Sequence, residues 1–385
     1  MIFAEPLGPG HVARQQVCRA DEALVWAMYR RTFYYAVDGL DQLGAPGRSL
    51  FARGASAVGR GVGDFALTVL GGGGDSADDK PPAADHLVFG PSAGSLAASA
   101  MARFEPGKRV DRLWALTSTR LVIAERHVAP VVAPEKSFLG KAIGFGREVG
   151  KILADNRRKY GEHVEGEPVA VPDYRVVAEF PRAQIASASP GRVTFVDGSG
   201  FEFLLETPAF SDDKVVVSEL TKFWLRPGER LVLGLPPVIG YVGGVVGGEL
   251  RLPLVASSPM PALELDKQRW PLPAPPSPQD WTDDPTLGYW VDAPAASCLA
   301  VSLADHFAFS RGNARLAVSD QRVAVVYPTH LFETKPSSVF TTFAEIPSGA
   351  VRSLETPYAG ASLPARPVVR LTFADGSSLA VRRQS

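Results

Sequence analysis

Three stretches of the chain hold residue types that do chemistry in other settings. Gly90-Pro91-Ser92-Ala93-Gly94 has the Gly-x-Ser-x-Gly spacing of a serine nucleophile raised on a tight turn. Such a serine needs a strand before it, a helix after it, and an acid and a histidine later in the chain. The apolar Leu87-Val88-Phe89 precedes it and an alanine-rich run follows. The rest of the chain reads mostly as β, without the alternating helices of a hydrolase sheet, so a loop accounts for the serine. Gly144-Phe145-Gly146 with Gly150 falls one residue short of a dinucleotide fingerprint and has no βαβ unit around it. Asp212-Asp213 and Asp283-Asp284 pair carboxylates as acid–base sites do, but they also suit turn and helix caps. Cys18, Cys298 and six scattered histidines show no metal-ligand spacing. No catalytic, cofactor or metal residue is therefore assigned, and the chain is expected not to be an enzyme.

Charge points to binding instead. The net charge of −1 gives no whole-molecule attraction to nucleic acid, so any electrostatic targeting must be local. One local concentration exists between residues 136 and 160, where Lys136, Lys141, Arg147, Lys151, Arg157, Arg158 and Lys159 face only Glu148 and Asp155. Phe138, Ala142, Phe145, Val149 and Ile152 recur there at helical spacing. A basic amphipathic helix of this kind can lie among lipid headgroups, at about 1 kcal/mol per cation near an anionic surface. Gly140, Gly144, Gly146 and Gly150 equally suit close packing on another helix or another copy of the chain. Lys108, Arg109 and Arg112 form a second, smaller group that could contact an anion.

The elements that would position these residues follow from periodicity and punctuation. Leu24, Val25, Met28, Tyr29, Phe33 and Ala36 predict a helix over Asp21–Leu43, stopped by Gly44 and Pro46. A second, glycine-rich helix is predicted over Leu50–Leu70, and Gly71–Asp85 reads as linker. Strands are signalled at Leu113–Ala124, Arg175–Phe180, Arg192–Leu205, Arg315–Tyr327, Phe340–Ile346 and Val368–Arg382. Arg120 and Arg322 sit mid-strand and are expected on an outward face. Val216, Leu220, Phe223 and Trp224 share one face of a helix predicted over Ser211–Leu225. The uncharged Leu231–Gly248 stretch holds Pro236, Pro237 and a glycine string, so loop or short strands are expected there, not a membrane span. A proline-rich segment, 265–289, should run extended, with Trp270, Trp281 and Trp290 holding it to a domain surface.

The chain also repeats itself. Ala115–Ile123 (ALTSTRLVI) returns as Ala317–Val325 (AVSDQRVAV). Glu179-Phe180-Pro181 returns as Glu345-Ile346-Pro347, and Val193-Thr194-Phe195-Val196-Asp197-Gly198-Ser199 as Leu371-Thr372-Phe373-Ala374-Asp375-Gly376-Ser377. Three phrases in one order mark a duplicated domain, with hairpin turns at Asp197-Gly198 and Asp375-Gly376. The separation from Arg120 to Glu179 exceeds that from Arg322 to Glu345 by 36 residues, which places the basic stretch in an insertion of the first copy.

A meander carrying Leu116-Thr117-Ser118-Thr119-Arg120-Leu121-Val122-Ile123, then Phe180-Pro181, then Phe195-Val196-Asp197-Gly198-Ser199, then the helix Ser211–Leu225, resembles the pleckstrin-homology-like superfamily, especially its bacterial and GRAM-type members. The resemblance implies a mainly β chain with some α: two tandem bent β-sheet or barrel domains, each closed by a C-terminal helix, with a non-catalytic role in binding protein or phospholipid. It divides the chain into an N-terminal helical segment 1–72, a linker 73–85, a first domain 86–226 with the insertion 136–160, a linker 227–287, and a second domain 288–385. The second domain then lacks its closing helix, and the Asp21–Leu43 helix or a partner chain is expected to fill that end. The expected role is a cytoplasmic adaptor, peripheral to the inner membrane face, that binds a protein partner and an anionic membrane. The alternative is a subunit of a homo-oligomeric assembly packed through the glycine-rich helices.

Overall fold

The computed structural model describes residues 3–47, 82–127, 157–205, 213–263, 269–334 and 337–383. The chain is mainly β with a few short helices, and its elements occur twice in one order. The first set is α1 (Pro9–Gln16), β1 (Leu24–Arg30), β2 (Phe33–Val37), β3 (His86–Gly90), α2 (Leu96–Met101), β4 (Arg112–Thr117), β5 (Arg120–Arg126), the small hairpin β6 (Lys159–Tyr160) and β7 (His163–Val164), then β8 (Tyr174–Pro181), β9 (Ile185–Ser189), β10 (Arg192–Phe195) and β11 (Gly200–Phe203). The second is α3 (Lys214–Phe223), β12 (Leu231–Gly234), β13 (Tyr241–Val246), β14 (Glu249–Arg251), β15 (Leu287–Ala293), α4 (Leu299–Ser310), β16 (Arg315–Ser319), β17 (Arg322–Pro328), β18 (Phe340–Pro347), β19 (Val351–Glu355), β20 (Tyr358–Ala359), β21 (Arg366–Phe373) and β22 (Ser378–Arg382).

Each repeat packs two sheets face to face. In the first, the antiparallel order β1-β4-β5-β8 lies against β2-β3-β11-β10-β9, in which β2 and β3 run parallel. In the second, β12-β16-β17-β18 lies against β14-β13-β15-β22-β21-β19, with β13 and β15 parallel. Successive strand residues point to opposite faces. Trp26, Met28, Trp114, Leu116, Leu121 and Ile123 face the inter-sheet core with Phe195 and Phe201. The alternate residues Ala27, Leu113, Ala115, Val122 and Ala124 pack outward against Val12, Ala13 and Val17 of α1. In the second repeat Ala317, Ala324 and Val326 likewise pack on Val216 and Leu220 of α3.

Burial on both faces explains where the sequence pattern misled. Asp21–Leu43 is not a helix: its core is β1 and β2, whose continuous apolar run matches helical spacing because nearly every position is buried. The aromatic cluster Phe33-Tyr34-Tyr35 favours the extended chain. Four of the long predicted strands are hairpins, turning at Ser118-Thr119, Asp197-Gly198, Asp320-Gln321 and Asp375-Gly376. The Ser211–Leu225 helix does not close the first copy. It is α3, and it opens the second. Nor does the second repeat wait for a helix from elsewhere. Its own α4 sends Ala300, Val301, Leu303, Ala304 and Phe307 into the core, with Phe307 stacked 4.4 Å from Tyr289. Leu231–Gly248 forms β12 and β13. No helix among the described residues is long and apolar enough to cross a membrane.

The repeats meet at a joint. The N–H of Gly8 donates to Asp283 O at 2.8 Å, the N–H of His11 to Asp283 Oδ2 at 2.9 Å and the N–H of Gly10 to Ser362 Oγ at 2.8 Å. Arg14 pairs with the buried Asp280. The described part of the proline-rich segment packs with Trp270, Trp281 and Trp290 all buried, but it is not extended throughout: Pro278–Asp283 forms a 3-10 helix, and Leu287 already begins β15.

Candidate functional site

The repeated arginines are spent inside the fold. Arg120 is 6% exposed and Arg322 4%, so neither lies on an outward face. Arg120 grips Glu22 with Nε and Nη2 (2.8 and 3.0 Å), donates to Val17 O at 2.9 Å, and pairs with Glu179. Arg322 repeats this with Glu229 (2.8 and 3.1 Å), Trp224 O (3.2 Å) and Glu345 (2.8 Å). Each guanidinium thus ties the last turn of a helix to the sheet, where a cation also complements the helix dipole. The Arg120 hydrogen bond holds the Glu22 carboxyl down to about 2. The Arg322 hydrogen bond lowers Glu229. At Glu345 burial opposes ionisation, but hydrogen bonds from Arg322 and Arg226 outweigh it. Glu179 and Glu345 open the second repeated phrase; Glu22 and Glu229 were missed in the sequence, yet a fourth repeated phrase marks them. Arg19-Ala20-Asp21-Glu22-Ala23-Leu24-Val25 returns as Arg226-Pro227-Gly228-Glu229-Arg230-Leu231-Val232.

The Asp-Gly-Ser phrase has a second job besides its turn, where Gly198 and Gly376 adopt φ of +79° and +83°. Asp197 Oδ2 accepts from Leu96 N at 2.7 Å and Ser199 Oγ from Ala97 N at 3.1 Å. Asp375 and Ser377 accept from Leu299 N and Ala300 N at the same 2.7 and 3.1 Å. Each hairpin caps the helix that plugs its own repeat.

The residues singled out for binding scatter. Lys136, Lys141, Phe145, Arg147 and Lys151 lie outside the described residues, as do the Leu50–Leu70 segment and the Gly144–Gly150 stretch. Arg157, Arg158 and Lys159 are not helical: Arg157 pairs with Glu167 at 2.7 Å, Arg158 stacks on Tyr160, and Lys159 opens β6. Lys108 is exposed and bound to Glu105 at 2.8 Å, and Arg109 is exposed. Arg112 is buried between Glu125 (3.3 Å) and the Phe104 ring (4.6 Å), so it supports the core and does not meet an anion. Ser92 sits in the exposed turn between β3 and α2. Among the described residues no histidine or carboxylate is hydrogen-bonded to its Oγ. Asp213 caps α3 through Val215 N and Val216 N, and Asp284 holds a turn through Thr286 and Ala274. No cluster among the described residues could hold a metal ion.

Two concave surfaces stand out among the described residues. One, of about 1170 Å³, opens beside the joint and is lined by Leu254, Val255, Met260, Leu263 and Trp270, with Arg269 and Arg311 at its rim. Trp270 anchors its floor, packed on Phe3 and Tyr241 at 5.2 and 5.3 Å under the Arg311 guanidinium. The other, of about 480 Å³, runs along α3 and the edge of β12. Comparison with protein-family models, with curated proteins and with solved structures found no match.

Proposed function

We propose that the chain is a non-catalytic adaptor built from two pleckstrin-homology-like repeats, and that the larger groove receives a protein partner. The observation that carries this is the character of the groove: a large concave surface walled by apolar side chains, including Val255 at 78% exposure, and rimmed by two arginines. Exposed apolar surface gathered in a concavity marks recognition sites, and apolar anchors within a polar rim are what protein partners bury. The partner segment that fits carries apolar anchors flanked by acidic residues. The cations between residues 136 and 160 would add attraction to an anionic membrane.

A photo-crosslinking amino acid placed at Val255 tests this in extract of the native cell. A discrete protein adduct is expected there, absent from the same probe at the remote, 64% exposed Val196 and abolished by Met260→Asp. Equal labelling at both positions contradicts the assignment.

A further inference from the structure

The first strands of the two repeats share a register and differ in what lies beside them. Leu24 pairs with Thr117 and Ala27 with Ala115 across a bulge. Leu231 pairs with Ser319 and Gly234 with Ala317 across the same bulge. Gly234 therefore stands where Ala27 stands. In the first repeat the N–H of Ala27 donates to Ala361 O and its C=O accepts from Leu363 N, both at 2.8 Å. The extended Ala361-Ser362-Leu363 segment thus lies parallel to β1 and against α1. Ser362 there accepts from Gly10 N and donates to Asp283 Oδ2.

In the second repeat no described residue fills that place. Leu235 N donates to Leu316 O at 3.0 Å, which turns the N–H and C=O of Gly234 away from β16. Among the described residues neither group has a partner, and the smaller groove lies beside them. Its helical wall is Val217, Thr221 and Leu225, which hold the places relative to Trp224 that Gly10, Arg14 and Cys18 hold relative to Val17. Where Gly10 N and Asp283 hold Ser362, the second repeat presents the side chains of Val217 and Leu225 on either side of Thr221, with Glu229 and Arg230 also lining the groove. The chain has no equivalent segment to send there from the first repeat, because Pro190-Gly191 alone joins β9 to β10. Its own Ser362 is 3% exposed at the joint.

We propose that the β12 edge accepts a short extended segment of another protein, seated parallel to β12 as Ala361–Leu363 is seated beside β1. An apolar side chain replaces Ser362 and packs on Val217, Thr221 and Leu225. The two main-chain hydrogen bonds to Gly234 fix its direction, as in strand addition at a sheet edge. The site is separate from the larger groove, so either assignment can fail alone.

The probe is a fluorescent synthetic peptide with the sequence of residues 357–367 carrying Ser362→Val, titrated against the full chain by anisotropy, with amide shifts mapped on ¹⁵N-labelled protein. Shifts are expected along Val217–Leu235. A Cβ at Gly234 would collide with Leu220, which stands where the first repeat has Ala13, so Gly234→Ala with Leu220→Ala copies the first repeat, keeps the N–H and should retain binding. Gly234→Pro, also made with Leu220→Ala, differs from that variant by the loss of the outward donor and the fixed ring, and should weaken binding about tenfold relative to it. No binding by the wild-type chain at millimolar peptide, or shifts elsewhere, overturns the proposal whether or not the proline variant folds. Binding by the folded proline variant equal to that of the alanine variant also overturns it. So does a wild-type dimer in light scattering that the proline variant dissociates and the alanine variant keeps, which would assign the edge to a second copy.

Discussion

Arg322 and Arg120 show how much a single repeated residue can organise. The Glu229 side chain is fully buried against Arg322, and a buried pair is costly to break from one side because the remaining charge has no counterion. Arg322→Ala should destabilise the protein by about 3–5 kcal/mol in urea melts. The double replacement Arg322→Met with Glu229→Leu should recover a large part of that loss, since neither charge is then stranded. The pH dependence has a definite sign. Glu22, Glu229 and Glu345 are all held below the ordinary carboxyl value. Their stabilisation is present above the ordinary carboxyl value of about 4.5 and is lost as pH falls below it and each takes up a proton in the folded state, at about 2 for Glu22. Acid titration of unfolding free energy should show this loss, reduced in Arg120→Met/Glu22→Leu.

At the scale of elements, the capping hairpins make the clearest prediction. Asp375 reaches across to the first turn of α4, so Asp375→Ala should cost about 1 kcal/mol of stability and raise amide exchange in the first turn of α4. Asp197→Ala should act in the same way on α2. These elements also show what was legible beforehand. The duplication, the hairpin turns and most strands of the second half of each repeat could be read, because one face alternates or a turn residue punctuates the run. The opening of each repeat could not. In β1 both faces are buried, so Leu24 to Tyr29 carries no period-2 signal. α1 is short and begins at Pro9, after Pro6-Leu7-Gly8, where propensity gives little warning. Once α1 went unread, α3 had no counterpart and attached itself to the wrong copy. Both grooves were invisible for a different reason: each is formed by residues brought together only by the packing of helix, linker and strand edge.

For the molecule as a whole, the joint holds the repeats together through Gly8, Gly10 and His11 on Asp283 and Ser362. Asp283 is the buried residue at its centre, and burial lifts its carboxyl to about 6. A carboxyl raised in the folded state binds its proton more tightly there than in the unfolded chain. Its contribution therefore weakens as pH rises from about 3.8 through about 6. Asp283→Asn should flatten stability over that window. The joint also needs Gly8, because a Cβ there would collide with the Asp283 carboxyl. Gly8→Ala should split a single thermal transition into two as the repeats come apart. The central claim is that one unit, opening with a helix and its acidic anchor, was used twice, so that α3 belongs to the second repeat. Hydrogen exchange on full-length Arg322→Ala tests it directly. Protection should fall in α3, β12 and β16–β18 while β8–β11 keep theirs. Loss of protection in α3 together with β8–β11, with β16–β18 unchanged, would contradict it.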